Sequence, residues 1–101
     1  NLLCLSSRSE LLSTVTLPVE KLLGGGMTPR ELAAAILKSG AASVCLGINH
    51  GADLPLPRPE DLTLTRMVGE LLSAIGTGFT NCIICGGGSS FSMRGSGAFA
   101  F

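Results

Sequence analysis

The sequence has no excess of charge of either sign and no long apolar run. Seven Lys and Arg residues balance seven Asp and Glu residues, which argues against direct nucleic-acid binding, because that binding depends on neutralising phosphates. No apolar segment reaches the roughly 20 residues that span a bilayer. The first residues, Asn1 to Cys4, have no basic region, and their apolar stretch is too short for a signal peptide. We therefore expect a cytoplasmic chain that does not bind membranes.

Several catalytic signatures are also missing. The glycine runs at 24–26 and 86–88 come with no Gly-Lys-Ser/Thr sequence, so they are predicted to be turns and not phosphate-binding loops. No Gly-x-Ser-x-Gly segment indicates a serine hydrolase. Cys82 and Cys85 form a single C-x-x-C, but residues three apart on a strand face opposite sides. Buried, reduced thiols are therefore expected, and zinc binding through cysteine is disfavoured.

The composition fits one small domain over residues 1–101, because 46% of the residues are hydrophobic and only 14% are charged. The pattern predicts alternating strands and helices. Strands are expected at 2–5, 11–17, 42–48, 81–85 and 90–93, the last two joined by a hairpin at 86–88. The first helix is expected to have Thr28 as its N-cap, Pro29 at its first position and Gly40 at its end. The second helix is expected to run from Pro59 to Gly76.

The second predicted helix has a continuous apolar face at helical spacing. Its members are Leu64, Met67, Val68, Leu71, Leu72 and Ile75. Such a face is typical of a helix that packs on a sheet.

The strongest functional signal lies between Gly47 and Asp61, which reads GINHGADLPLPRPED. This segment resembles the metal motif of the RadC-type branch of the JAB/MPN metalloprotease-like superfamily. Members carry His-Asn-His, a Pro-Ser-Gly turn, a Pro-x-Pro-Ser step and an Asp three residues after the Ser. The second His falls on His50 and the Asp on Asp61, whereas Ile48 stands at the first His position and Arg58 at the Ser position.

The resemblance runs without a gap from about Leu2 to Gly95. The matching segments are Thr28 to Leu32, Ala41 to Leu46, Asp61 to Arg66, Ile83 to Gly86, and Phe91-Ser92. It implies an α/β (α+β) fold of the JAB/MPN type, with a mixed sheet flanked by two main helices in a cytidine-deaminase-like architecture. The N-terminal helical module usual in the family is expected to be absent. Family members are often labelled DNA-repair proteins, but no residue pattern here supports contact with DNA.

In active relatives two His and one Asp hold zinc and leave a fourth position for water. The bound water attacks a peptide or isopeptide bond, and a Glu moves its proton. Here Ile48 has no lone pair to donate, His50 is the only His in the chain, and Arg58 places a positive charge beside the position where the cation would sit. His50 and Asp61 are therefore an incomplete remnant of the ligand set, and we expect no bound zinc.

The position of a proton-moving Glu stays open among Glu10, Glu20 and Glu31, although Glu31 is also expected to complete a capping box. A remodelled zinc site could recruit Cys82, which stands where relatives have a His. With such a site the chain would be a zinc-dependent hydrolase. The favoured hypothesis is instead a catalytically degenerate domain that serves as a structural or protein-interaction module.

Four side chains receive specific expectations. His50 is expected to anchor its loop by a hydrogen bond, and Asp61 to be a carboxylate at the third position of the second helix. Arg58 and Asp61 are expected to form an ion pair, and Ile48 to pack beneath the groove. Contact surfaces for a protein partner or for self-association are expected around residues 49–58 and at the apolar C-terminal edge.

Overall fold

The structure is a computed structural model, and it describes residues 2–15 and 29–95. Within these ranges the chain forms five strands and two helices. The strands are β1 (Leu2–Leu5), β2 (Leu11–Val15), β3 (Ser43–Asn49), β4 (Gly78–Gly86) and β5 (Ser89–Ser92). The helices are α1 (Pro29–Ser39) and α2 (Pro59–Ala74).

The strands form one mixed sheet in the order β2-β1-β3-β4-β5. β3 and β4 are parallel, and the other neighbouring pairs are antiparallel. The predicted α/β fold with a mixed sheet and two main helices is confirmed. Neither described helix has the length and hydropathy that crossing a membrane requires.

Both helices pack on the same face of the sheet. β2 and β3 are each antiparallel to β1 and so run in the same direction. The connections β2-α1-β3 and β3-α2-β4 therefore each join parallel strands, and both move in the same direction across the sheet. Crossover connections of this kind are right-handed, which places both helices on the same face. The two helices also contact each other.

The core lies between the helices and this face of the sheet. Its main buried members are Leu2, Cys4, Leu32, Ile36, Val44, Leu46, Leu64, Val68, Leu72, Cys82, Ile84 and Met93. The predicted apolar face of the second helix is confirmed, because Leu64, Val68 and Leu72 are buried and its other members pack against the core.

Most predicted boundaries agree with the structure to within two residues, and β4 is the exception. It begins at Gly78 because Gly78 and Phe79 pair with Ser43 and Val44 at the start of β3, before a bulge. Such pairing depends on a strand distant in sequence. The last hairpin turns at Gly87 and Gly88, whose positive φ angles of 54° and 80° suit a two-residue turn. Thr28, residues 16 and 17, and most of the C-terminal edge lie outside the described residues.

Candidate functional site

The candidate site lies where β3 ends and the chain crosses to α2. The loop that follows β3 stays attached to β4: the His50 N–H donates to the Cys85 carbonyl at 2.7 Å, and the Gly87 N–H donates to the Gly51 carbonyl at 2.9 Å. The residues of the motif are thus held at the carboxyl end of the parallel β3–β4 pair, where ligand sites of α/β sheets form.

His50 is buried between the sheet and α2. Its Nε2 lies 2.7 Å from Asp61 Oδ2, its Nδ1 lies 2.9 Å from the Leu54 carbonyl oxygen, and its side chain is 2% exposed. Because a carbonyl oxygen can only accept, the contact with Leu54 takes an N–H on Nδ1, and Nε2 then faces the Asp61 carboxyl group. The prediction that His50 anchors its loop is confirmed.

Asp61 occupies the third position of α2, as predicted. Its Oδ2 accepts a hydrogen bond from the backbone N–H of Arg58, the N-cap residue, at 3.0 Å, as well as the contact from His50. An arginine side chain has no acceptor, so only this half of a capping box forms. Asp61 is therefore committed to the helix terminus and to His50.

The predicted ion pair between Arg58 and Asp61 is wrong. The Arg58 guanidinium instead pairs with Asp53, with Nη2 2.9 Å from Oδ2. The reason is burial: the Asp61 side chain is only 11% exposed, and a guanidinium placed beside it would lose its hydration. The extended backbone of Arg58 (φ −100°, ψ 161°) lets its side chain leave the helix terminus for an exposed partner.

Ile48 is half-buried and packs against the core. It also lines an open groove of about 370 Å³ with Leu3, Gly47, Asn49 and Cys85. Ile48 packs against the core as expected, but part of its side chain remains exposed to solvent. An aliphatic side chain thus occupies the position that corresponds to the first metal ligand of the motif.

Gly86 is part of the site, although the sequence indicated only a turn there. A Cβ atom at this position would lie 2.3 Å from the Asp53 carbonyl oxygen and 3.0 Å from the Cβ of His50. The absence of a side chain therefore lets the loop approach β4. The run of three glycines is the only signal in the sequence, and it does not separate this close approach from the turn at Gly87 and Gly88.

Cys82 and Cys85 lie on opposite faces of β4, as predicted. Cys82 is buried in the core and Cys85 is exposed. Burial raises the pKa of the Cys82 thiol, and a hydrogen bond from Thr65 offsets part of this rise. Burial likewise raises the pKa of Cys45. Since a zinc ligand is a thiolate, these environments disfavour both residues as ligands.

The candidate Glu residues are separated by the topology. Glu10 is exposed and follows β1 at the end of the sheet where β3 starts, because Leu5 pairs with Ser43; His50 lies beyond the other end of β3. Glu31 is exposed in the first turn of α1. Since α1 leads directly into β3, that turn points toward the end of the sheet that carries His50. Glu20 lies outside the described residues.

The side chains at the motif positions do not fit a catalytic zinc ion. Such sites use three protein ligands, and His50 and Asp61 supply two. Among residues 2–15 and 29–95, no group of three or more His, Cys, Asp or Glu side chains comes together in a way that could hold a metal. The arrangement can instead fix the loop and cap the helix.

Known proteins resemble this chain over almost its whole length. The model of one family, described as a RadC-like JAB domain, matches residues 1–98. A UPF0758 protein of Shouchella clausii (strain KSM-K16) is 31% identical over 97% of the chain and 43% of its own length. A UPF0758 protein of Methanospirillum hungatei JF-1 is 33% identical over 92% of the chain and 41% of its own length. The chain thus spans less than half the length of these relatives.

Proposed function

The chain belongs to the RadC-like JAB domain family, and from this premise we propose that it is a member without catalytic zinc chemistry that serves as a structural or protein-interaction module. Its buried His50–Asp61 pair would hold in place the loop that in active relatives presents metal ligands. The chain would then keep the RadC-like fold because the fold itself, and not zinc catalysis, serves its function.

The observation that carries this proposal is the contact between His50 and Asp61. The two remaining ligand positions are 2.7 Å apart and bonded to each other, with side chains 2% and 11% exposed. A zinc ion would have to replace this contact and would still lack a third protein ligand. Ile48, at the missing position, packs against the core instead.

Exposed leucines near the pair support the interaction part of the proposal. Leu54, Leu56 and Leu62 are 71%, 56% and 44% exposed. They lie on the loop that His50 anchors and on the first turn of α2. Contiguous exposed apolar side chains are typical of surfaces that bind other proteins, and we propose that these three leucines contribute to one. A loop held by hydrogen bonds also loses less entropy when it binds.

The test is to restore the ligand set. Ile48→His with Arg58→Ser should supply a second imidazole and remove the cation, so this double variant should bind zinc in calorimetry while the present chain does not. Ile48→His alone should bind more weakly, and Arg58→Ser alone should bind little, because one imidazole and one carboxylate make a poor zinc site.

Asp61→Ala in the double variant is the matched control and should abolish binding. Stoichiometric zinc on the unmodified chain, lost on Asp61→Ala, would favour the zinc-dependent hydrolase instead. Equal zinc affinity for all variants would place the metal outside this loop and would contradict the assignment of His50 and Asp61 as ligand positions.

A further inference from the structure

The sheet carries no charged residue in any of its five strands. One face is covered by α1 and α2, and the register defines the other, which we term the open face. Leu3 pairs with Cys45, Gly47 with Ile83, and Asn49 with Cys85, so these residues share that face. Its apolar members are Leu3, Leu5, Leu11, Cys45, Gly47, Ile83 and Cys85, of which Cys45 is buried. Neither described helix covers it.

Charge distinguishes the open face from the rest of the described surface. Arg30, Lys38, Arg66 and Glu70 lie on the two helices, whereas the polar strand residues that share the open face are neutral, such as Thr14 and Asn81. Arg94 lies at the margin of this face, where its backbone N–H donates to the Asn81 side chain and its guanidinium donates to carbonyls of β4. Depletion of charge is the compositional mark of the central part of a protein interface. A half-buried apolar stripe without charge therefore indicates a surface that a partner covers.

We propose that this partner is a second copy of the chain, stacked face to face on the open face. Two features favour a copy of the chain itself. An uncharged face can meet itself without placing like charges together, which a self-complementary two-fold interface requires. Gly47 also leaves a depression beside the side chains of Leu3 and Cys85, so projecting side chains of one copy have space on the other.

The size of the face sets the expected strength. Five strands about 4.8 Å apart, each about five residues long, give a face on the order of 400 Å² per copy. A pair would thus bury roughly 800 Å² in total, which is below the range of stable specific interfaces and within that of weak, transient ones. We therefore expect a reversible dimer with a Kd on the order of tens of micromolar and not an obligate one.

Sedimentation velocity of the whole chain, from about 1 to 300 μM, tests the proposal. The chain should shift from monomer to dimer across this range. Cys85→Asp, at an exposed position, should leave the fold intact and weaken the dimer at least tenfold. Ile83→Lys should do the same if circular dichroism shows it folded. Leu37→Lys, at a 59% exposed position on α1, is the control and should dimerise normally.

Alkylation of Cys85 gives an independent readout, because it is the exposed cysteine of the four. Its rate per molecule should fall as concentration rises through the dimerisation range. A chain that stays monomeric at all concentrations would overturn the proposal. The open face would then be covered by other residues of the chain or by a different protein. A dimer unaffected by Cys85→Asp but lost in Leu54→Lys would also overturn it, since the interface would then lie on the His50 loop.

Discussion

Two side-chain contacts beside the same loop have similar lengths and different surroundings. His50 and Asp61 are 2.7 Å apart with side chains 2% and 11% exposed, whereas Arg58 and Asp53 are 2.9 Å apart with side chains 43% and 74% exposed. Exposed pairs contribute little to stability, but removing one partner of a buried pair leaves the other without its hydrogen bond. Burial and not distance therefore decides which pair holds the loop.

The comparison also separates the two halves of the metal motif. The retained positions, His50 and Asp61, are buried and bonded to each other. Of the changed positions, Ile48 contributes to the core and Arg58 to the surface. The positions that match the family motif thus form a structural contact with each other, whereas the positions that differ from it do not take part in that contact.

The largest expected effect is that of Asp61→Ala. It removes the acceptor of both the His50 ring and the Arg58 backbone N–H, and should lower the free energy of unfolding by about 3 kcal/mol. Urea denaturation measures this loss. A loss no larger than that of Asp53→Ala would mean that burial does not distinguish the two pairs.

Gly86→Ala should follow. The added methyl group would meet the Asp53 carbonyl oxygen, and the forced shift of the loop should cost about 2–3 kcal/mol. Gly88→Ala is a matched control, because a Cβ there meets nothing within 4 Å and only its positive φ of 80° opposes the change. That control should cost about 1 kcal/mol. The reverse order would show that the loop does not depend on close approach at Gly86.

Ile48→Ala tests the changed half of the motif. Full burial of an Ile would imply a loss of about 2–5 kcal/mol, but this side chain is half-buried, so about 1–2 kcal/mol is expected. Its partner in the parallel register, Ile84, is fully buried, and Ile84→Ala should cost more in the same urea experiment. A loss below about 0.5 kcal/mol for Ile48→Ala would place the side chain on the surface.

Asp53→Ala should have the smallest effect, no more than about 0.5 kcal/mol, because the Arg58–Asp53 pair is solvent-screened. High salt should remove even this difference. A loss above about 1.5 kcal/mol would mean that the exposed pair also holds the loop.

Periodicity, capping residues and turn residues were sufficient to predict the strands, both helices and the final hairpin, whereas the mixed sheet was an implication of the family resemblance. The position of Asp61 at a helix start and the loop-anchoring hydrogen bond of His50 were also predicted, but the contact between these two side chains was not. The partner of Arg58 was not, since spacing along α2 favours Asp61, and only the folded loop shows that Asp61 is buried and Asp53 within reach. The role of Gly86 was not predicted, because it depends on a backbone oxygen more than thirty residues away in sequence.

The account depends most directly on the claim that the His50–Asp61 pair stabilises the fold without a metal. The decisive measurement is the melting temperature of the chain with added zinc, with a chelator and with neither, alongside Asp61→Ala and Asp53→Ala. A native-state ligand at 100 times its Kd adds about 2.7 kcal/mol to stability. We predict the same melting temperature under all three conditions for each protein. Stabilisation by zinc in the unmodified chain and in Asp53→Ala, absent in Asp61→Ala, would contradict the account.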